Sequence, residues 1–410
     1  MIVPNKPYVL IYPGDFSGCS HVRLRERAYH FWEKYAESGE YNPLIMSNYV
    51  FDPMILSLTK CIVFQRPAGG AMVEVVNRYK SLQAKFGYKM VAEFDDMIWR
   101  DKSHDEDGVP DYNPSNLHEG ANDPAKIREI NETLAINLRN MDRVIVSTDF
   151  LKLAMEKKYG LDNVTVVRNT IPRYLWNYPR REELTEDIKK PKIIYTGSPT
   201  HYTNPIPPRK PSEKEPNGFP GVPGKAGDFD SGLNHAWINY IINAVNNDEI
   251  EFVCMGTLPF FFQSIAPKIK VLNWVTCLQY PGLVLREKAD ISIAPLVRND
   301  FNKCKSDLRY IETCASQSVF LGTIFRKDEE NGGIQWSPYS HAPKECVLYD
   351  DCTEEDIRQR VQWLCKKENF NRIKKQHYED LNRNNWFMES SGAINNFTSV
   401  IEGGANQQVI

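Results

Sequence analysis

Glu312 and Ser306 stand six residues apart within ADISIAPLVRNDFNKCKSDLRYIETCASQSVFLG, residues 289–322. Ser306 can cap a helix with Asp307 in its first turn. Glu312 then lies roughly 9 Å along the axis, at about 1.5 Å per residue. Leu308, Ile311 and Ala315 form one face of that helix, and Glu312 falls inside their arc. A carboxylate placed there is costly unless something hydrogen-bonds to it. The spacing fits a diphosphate at the helix start with ribose hydroxyls at Glu312. It fits equally a structural glutamate paired with a buried arginine or with backbone amides.

A second chemical feature is the acid pair Asp95-Asp96, which ends the apolar run Lys89–Phe94. Two acids at a strand end can act as a general base, bind a metal, or cap a helix from a solvated loop. His104 and His118 lie in the polar stretch 101–124 and read as solvated loop histidines. That stretch is long enough for a lid or an acceptor-contacting loop.

The elements that would position these groups alternate. Strands are expected at Tyr8–Tyr12, Cys61–Phe64, Lys89–Phe94, Val144–Ser147 and Val164–Val167. A second set is expected at Lys192–Tyr195, Glu251–Met255, Val271–Trp274, Ile291–Leu296 and Val319–Leu321. Helical patterns fall between them, and Val297–Lys305 reads as irregular. This alternation predicts parallel sheets. Residues 173–191 are charged and read as an interdomain linker. Residues 202–231 hold seven prolines and read as a mobile insertion.

The segment 289–322 resembles the donor-binding half of GT-B glycosyltransferases, the family 4-like group in particular. The patterns VIVST and VVRNTIP, from Val144 and Val166, resemble the last first-domain elements of that group. The resemblance implies an α/β fold with two Rossmann-like domains facing across a cleft. It places an acceptor-side domain at 1–180, a nucleotide-sugar domain at 181–380 and a helical crossover at 381–410. It also implies that Glu312 holds the ribose and that Lys305 and Ser306 lie at the diphosphate. Arg298 is the alternative cation to Lys305. Gly197 lies in the loop after the first strand of the second domain. Gly18 and Arg23 are the candidates in the first loop, where a surface arginine is the plainer reading of Arg23. Cys304 stands where the family often has a second glutamate near the transferred sugar. Asp95 and Asp96 become the candidates for orienting or deprotonating the acceptor, with no metal.

The chain has 410 residues, 41% hydrophobic and 25% charged, with a net charge of −3. That is the composition of an ordinary globular protein and excludes a globally basic nucleic-acid binder. No run of 18 apolar residues suggests a membrane span. The nine scattered cysteines and the absence of a signal-like start suggest a cytoplasmic protein with reduced thiols.

The expected activity is glycosyl transfer from a nucleotide diphosphate sugar, UDP-sugar first, with no obligatory cofactor and retention of configuration. A same-fold epimerase or phosphorylase and a non-catalytic binding protein are the competing readings. The segments EFDD and FNKCKSD are similar to those of glycosyltransferases carried by large bacteriophages. This similarity suggests DNA as a possible acceptor, through a hydroxymethylated base. Residues 168–192 carry seven Lys/Arg against four acids, a candidate contact for a phosphate backbone.

Overall fold

The computed structural model describes residues 6–15, 18–30, 41–99, 124–176, 182–197, 201–202, 204–205, 207–208, 210–211, 221, 224–230, 235–326, 336–384, 386–389 and 399–401. His104 and His118 lie outside the described residues.

The first sheet holds β1 (Tyr8–Tyr12), β2 (Asn42–Ile45), β3 (Thr59–Gln65), β4 (Lys89–Phe94), β5 (Arg143–Val146) and β6 (Val164–Val166). Its order is β2-β1-β3-β4-β5-β6, and the strand pairs are parallel. Side chains alternate across it, as the strand period requires. Leu10, Ile62, Phe64, Met90, Ala92, Val144 and Val146 face one hydrophobic cluster. Val9, Ile11, Cys61, Val63, Val91 and Ile145 face another.

The second sheet holds β7 (Lys192–Tyr195), β8 (Glu251–Met255), β9 (Lys270–Leu272), β10 (Ile291–Ala294), β11 (Val319–Ile324) and β12 (Val347–Tyr349). Its order is β12-β11-β10-β7-β8-β9, again parallel. All four residues of β10 are buried, as befits a central strand covered on both faces. The chain therefore forms two Rossmann-like domains. The two edge strands β2 and β12 were not expected. Each is only three or four residues long, and β2 begins Asn-Pro.

Helices cover the sheets. In the first domain they are α1 (Gly18–Ser20, continuing as the π-helical His21–Arg25), α2 (Pro53–Ser57), α3 (Gly70–Phe86), α4 (Pro124–Arg139) and α5 (Asp149–Tyr159), and α6 (Arg173–Trp176) follows at the passage to the second domain. In the second they are α7 (Ala236–Asn246), α8 (Tyr280–Glu287), α9 (Asp300–Cys304), α10 (Leu308–Ser316), α11 (Glu354–Leu364) and α12 (Lys367–Arg383). The Thr148 side chain caps α5 by accepting from Leu151 N–H, and Gly160 ends that helix at φ 65°. Among the described residues no helix is long and apolar enough to cross a membrane.

Three expectations are corrected. The stretch expected to be irregular contains α9, because the Asn299 side chain accepts from Asn302 N–H and caps it. Residues 173–191 are not a bare linker. Trp176 is buried in the second domain's core, and the Leu184 N–H and carbonyl both bond Asn371 of α12. The insertion is anchored at both ends, since Tyr202, Ala226, Asp228 and Phe229 are buried. Phe229 packs edge-on against Tyr195 and Phe262. Residues 212–220 of the insertion lie outside the described residues.

Beyond α12 the chain returns to the first domain. Ile171 bridges Phe387 in parallel, and Val400 and Ile401 are buried in the cluster around Val9 and Leu24.

Candidate functional site

In each sheet the strand order reverses beside the first strand, and open α/β sheets bind ligands at the loops leaving the carboxyl ends at such points. In the second domain that point lies between β7 and β10. The loop after β7 carries Thr196, Gly197 and His201, and the loop after β10 carries Val297 to Ser306. The carboxyl ends of the two sheets meet. The Thr148 hydroxyl, after β5, donates to the Cys304 carbonyl at 2.9 Å. Asn169, after β6, donates to Ser306 Oγ at 2.7 Å. Phe150 of α5 packs on Trp336 of the second domain at 5.2 Å.

Glu312 occupies α10 with its side chain only 14% exposed. Its Oε2 accepts from the Tyr280 hydroxyl at 2.9 Å and from Arg309 Nη1 at 3.3 Å. Among the described residues Oε1 has no hydrogen-bond partner. Burial pushes the carboxyl upward, and Arg309 opposes it. The paired-arginine reading is therefore present in the structure, and one oxygen remains for a ligand.

Arg309 also donates to the Thr196 hydroxyl and, at 2.5 Å, to the Thr196 carbonyl. It ties α10 to the loop after β7. The sequence reading missed Arg309, although its place three residues before an acid inside an apolar arc was the available signal.

Ser306 does not cap α10. The helix starts at Leu308 with Asp307 at the cap position and no side-chain cap bond, so the Ser306 hydroxyl is left to accept from Asn169. Lys305 reaches back to the loop after β7, with Nζ 3.0 Å from His201 Nδ1 and 3.7 Å from Asp228 Oδ2. Asp228 is fully buried. Its Oδ1 accepts from Asn302 at 2.6 Å and its Oδ2 lies 2.6 Å from His201 Nδ1. Burial alone would raise this carboxyl, but Lys305 and His201 hold it below the usual range. Burial and the Lys305 charge push His201 down to about 4, so the ring is neutral at pH 7.

Gly197 is buried, and a Cβ there would overlap the ring and hydroxyl of Tyr195. Only glycine lets this loop fold back over Tyr195. Arg298 is exposed, and its charge is felt at Asp350 beyond β12.

In the first domain Gly18 begins α1 at an exposed position, and a Cβ there would meet only open space. Arg23 is 2% exposed, which overturns its reading as a surface arginine. Its Nε donates to Glu93 at 2.6 Å, and Nη1 donates to the Val167 carbonyl at 2.6 Å and to Asn169 Oδ1 at 2.8 Å. Arg23 thus reaches the second domain through Asn169 and Ser306.

Asp95 and Asp96 follow β4, and no described helix begins at them, which removes the capping reading. The Asp95 backbone carbonyl accepts from Ser147 at 2.7 Å, and its Oδ1 is buried without a hydrogen-bond partner among the described residues. Cys19 and the two carboxylates bring ligand atoms within 4.8 Å of one another. Three such atoms would hold a cation only with water or ligand atoms completing the shell. The same crowding raises proton affinity. Burial and the Asp95 charge push Asp96 up to about 7 against the pull of Lys305 and Arg66. The Asp95 charge, followed by burial, raises the Cys19 thiol. Cys304 is fully buried in the first domain's cluster, and its carbonyl, not its thiol, makes the interdomain bond.

No protein-family model matches the chain, and no curated protein matches it by sequence. Solved structures of similar fold include the following three. HepE of Anabaena, in complex with UDP and glucose, is 8% identical over 97% of this chain and 100% of its own, with a TM-score of 0.49. Trehalose 6-phosphate synthase of Burkholderia multivorans is 7% identical over 97% and 98%, with a TM-score of 0.49. MurG of Acinetobacter baumannii is 9% identical over 97% and 99%, with a TM-score of 0.38. All three scores fall below one half, and the architecture rests on the strand order itself.

Proposed function

We propose that the chain is a GT-B glycosyltransferase moving a sugar from a nucleotide diphosphate sugar, UDP-sugar first, to a hydroxyl acceptor. The observation that carries this reading is Glu312 Oε1, without a hydrogen-bond partner among the described residues, one helix turn or more inside a switch-point site that also presents Lys305 and Ser306. A nucleoside diphosphate needs that combination: an acceptor for ribose hydroxyls, and a cation with backbone amides for phosphate.

In this reading the acceptor oxygen bonds to the sugar's anomeric carbon as the bond from that carbon to the diphosphate oxygen breaks. Lys305 and the start of α10 stabilise the leaving charge. Asp96, pushed up to about 7, suits removal of the acceptor proton near neutral pH, with Asp95 beside it. Gly197 shapes the loop at the crevice, and Gly18 and Arg23 border it from the first domain. Retention of configuration and independence from metal follow from the family 4-like resemblance; a hexosyl or pentosyl donor is part of the same proposal, and a cytoplasmic site of action is proposed from the nine scattered cysteines.

For the acceptor we carry forward a hydroxymethylated base in phage DNA. Its support is the basic stretch 168–192, but Arg168 is paired with Asp149, Lys190 with Asp248 and Lys192 with Glu251. That pairing favours a glycan or protein acceptor as the second reading. A thermal-shift screen against nucleotides and nucleotide sugars tests the donor half. Stabilisation by UDP and a UDP-sugar supports it, and indifference to every nucleotide overturns it.

A further inference from the structure

His201 and Asp228 are separated by most of the proline-rich insertion, yet they are in contact at the donor crevice. A carboxylate oxygen only accepts, so a separation of 2.6 Å requires the proton on His201 Nδ1. Lys305 also only donates; its Nζ lies 3.0 Å from Nδ1 and pairs with Oδ2 of Asp228 in charge alone, at 3.7 Å, so Nδ1 is the group that bonds this oxygen. Asn302 satisfies the other oxygen. The neutral ring is then fixed in the tautomer whose Nε2 carries a lone pair and no proton. Among the described residues Nε2 has no hydrogen-bond partner, and the side chain keeps 22% exposure.

A bare Nε2 repels phosphate oxygens, which offer no proton at neutral pH. It suits a ligand hydroxyl. We propose that His201, oriented by the buried Asp228 at the foot of the insertion, is the hydrogen-bond acceptor for a hydroxyl of the donor sugar and so helps select which sugar enters. The assignment rests on the glycosyl-transfer reading and adds a recognition residue to it. Asp228 is a positioning residue, because it acts only through the imidazole. The pair also gives the insertion a task, since its buried foot supplies the group that sets the tautomer.

The test uses the full chain and two measurements. Long-range proton–nitrogen NMR of His201 should show Nδ1 protonated and Nε2 unprotonated at pH 7, with Nε2 shifting on addition of a UDP-sugar and not of UDP. Titration calorimetry with UDP and with UDP-glucose, UDP-galactose, UDP-xylose and UDP-N-acetylglucosamine should then compare wild type with His201→Leu and His201→Gln. His201→Leu should weaken the preferred UDP-sugar by about tenfold, the typical worth of one hydrogen bond, and UDP by less than about threefold. His201→Gln keeps an acceptor oxygen and should recover part of the loss. Equal loss of UDP and UDP-sugar, or a protonated Nε2, overturns the assignment. Should wild type bind no nucleotide, the glycosyl-transfer reading fails on its own account. The His201 assignment is then decided by the Nε2 shift against free hexoses, and no movement overturns it.

Discussion

Asn169 joins the two domains at one atom pair: its amide donates to Ser306 Oγ at 2.7 Å while its own carbonyl oxygen accepts from the buried Arg23 at 2.8 Å. The first helix of one domain is thereby connected to the start of the donor helix in the other. Asn169→Ala should remove both bonds and leave a buried guanidinium proton without an acceptor. The expected loss is about 1–3 kcal/mol. Denaturant unfolding checks it, and Ser306→Ala should cost less because Arg23 keeps its partner. A neutral Asn169→Ala would show that Arg23 re-pairs elsewhere.

Glu312 spends one oxygen on Tyr280 and Arg309, and the proposed donor site uses the other. Glu312→Gln keeps the shape of the side chain but weakens the bonds from Tyr280 and Arg309. It should lower UDP affinity by about 1.5–3 kcal/mol, with a smaller effect on melting temperature measured without ligand. Unchanged affinity with a large drop in melting temperature would make Glu312 a purely structural residue.

The pH dependence of turnover should follow Asp96. A base works only when deprotonated, and Asp96 is pushed up to about 7 by burial and by Asp95. Activity should therefore rise as pH increases through about 7 and level off above it. Asp96→Asn should remove that limb along with most of the activity. Stability should run the other way. The folded state holds this proton more tightly than the unfolded chain, so the Asp96 contribution favours folding at low pH and fades as pH rises through 7. Rate profiles and melting curves on the same samples separate the two effects.

Removing the insertion should not be neutral. Replacement of residues 202–231 by a short Gly/Ser linker would delete Phe229, which is 0% exposed, along with Asp228. The single change Phe229→Ala should already cost about 3–5 kcal/mol, because it opens a cavity among Tyr195, Phe261 and Phe262. Thermal unfolding of both variants checks this. A stable linker variant would mean that the foot of the insertion contributes little to the core.

The parts of this molecule legible in sequence are those encoded locally. β10 is a short run that is apolar apart from Ser292, and α10 shows its buried face in Leu308, Ile311 and Ala315, so the odd Glu312 stood out. β2 and β12 were not legible, since three or four residues at a sheet edge carry too little pattern. His201–Asp228 was hidden for a different reason. The pair forms only because the chain leaves β7, runs through the insertion and returns with Asp228 beneath Asn302. Asn169 did not stand out and Arg23 was ambiguous for the same cause, as their partners lie 137 and 70 positions away. Asp95-Asp96 could be placed at a strand end from sequence, but the Cys19 thiol beside them could not.

The acceptor gives the last prediction. Duplex DNA is held by cations that release counterions, and each contact adds to the salt dependence of binding. Three cations in residues 168–192 are already paired within the protein, at 2.5 Å for Arg168–Asp149 and Lys190–Asp248 and 3.8 Å for Lys192–Glu251. Binding DNA there would exchange those carboxylates for phosphates, which gains little. A target base would also have to leave the helical stack to reach a site between two sheets. Transfer from UDP-sugars should therefore be measured on hydroxymethylcytosine DNA, on unmodified DNA and on small saccharides across a salt series. A DNA acceptor predicts transfer to the modified DNA alone, declining as salt rises. Asp149→Asn and Asp248→Asn, which release Arg168 and Lys190, should then steepen that decline and strengthen binding at low salt. Efficient transfer to a saccharide, indifferent to salt and to both variants, would assign the enzyme to glycan synthesis.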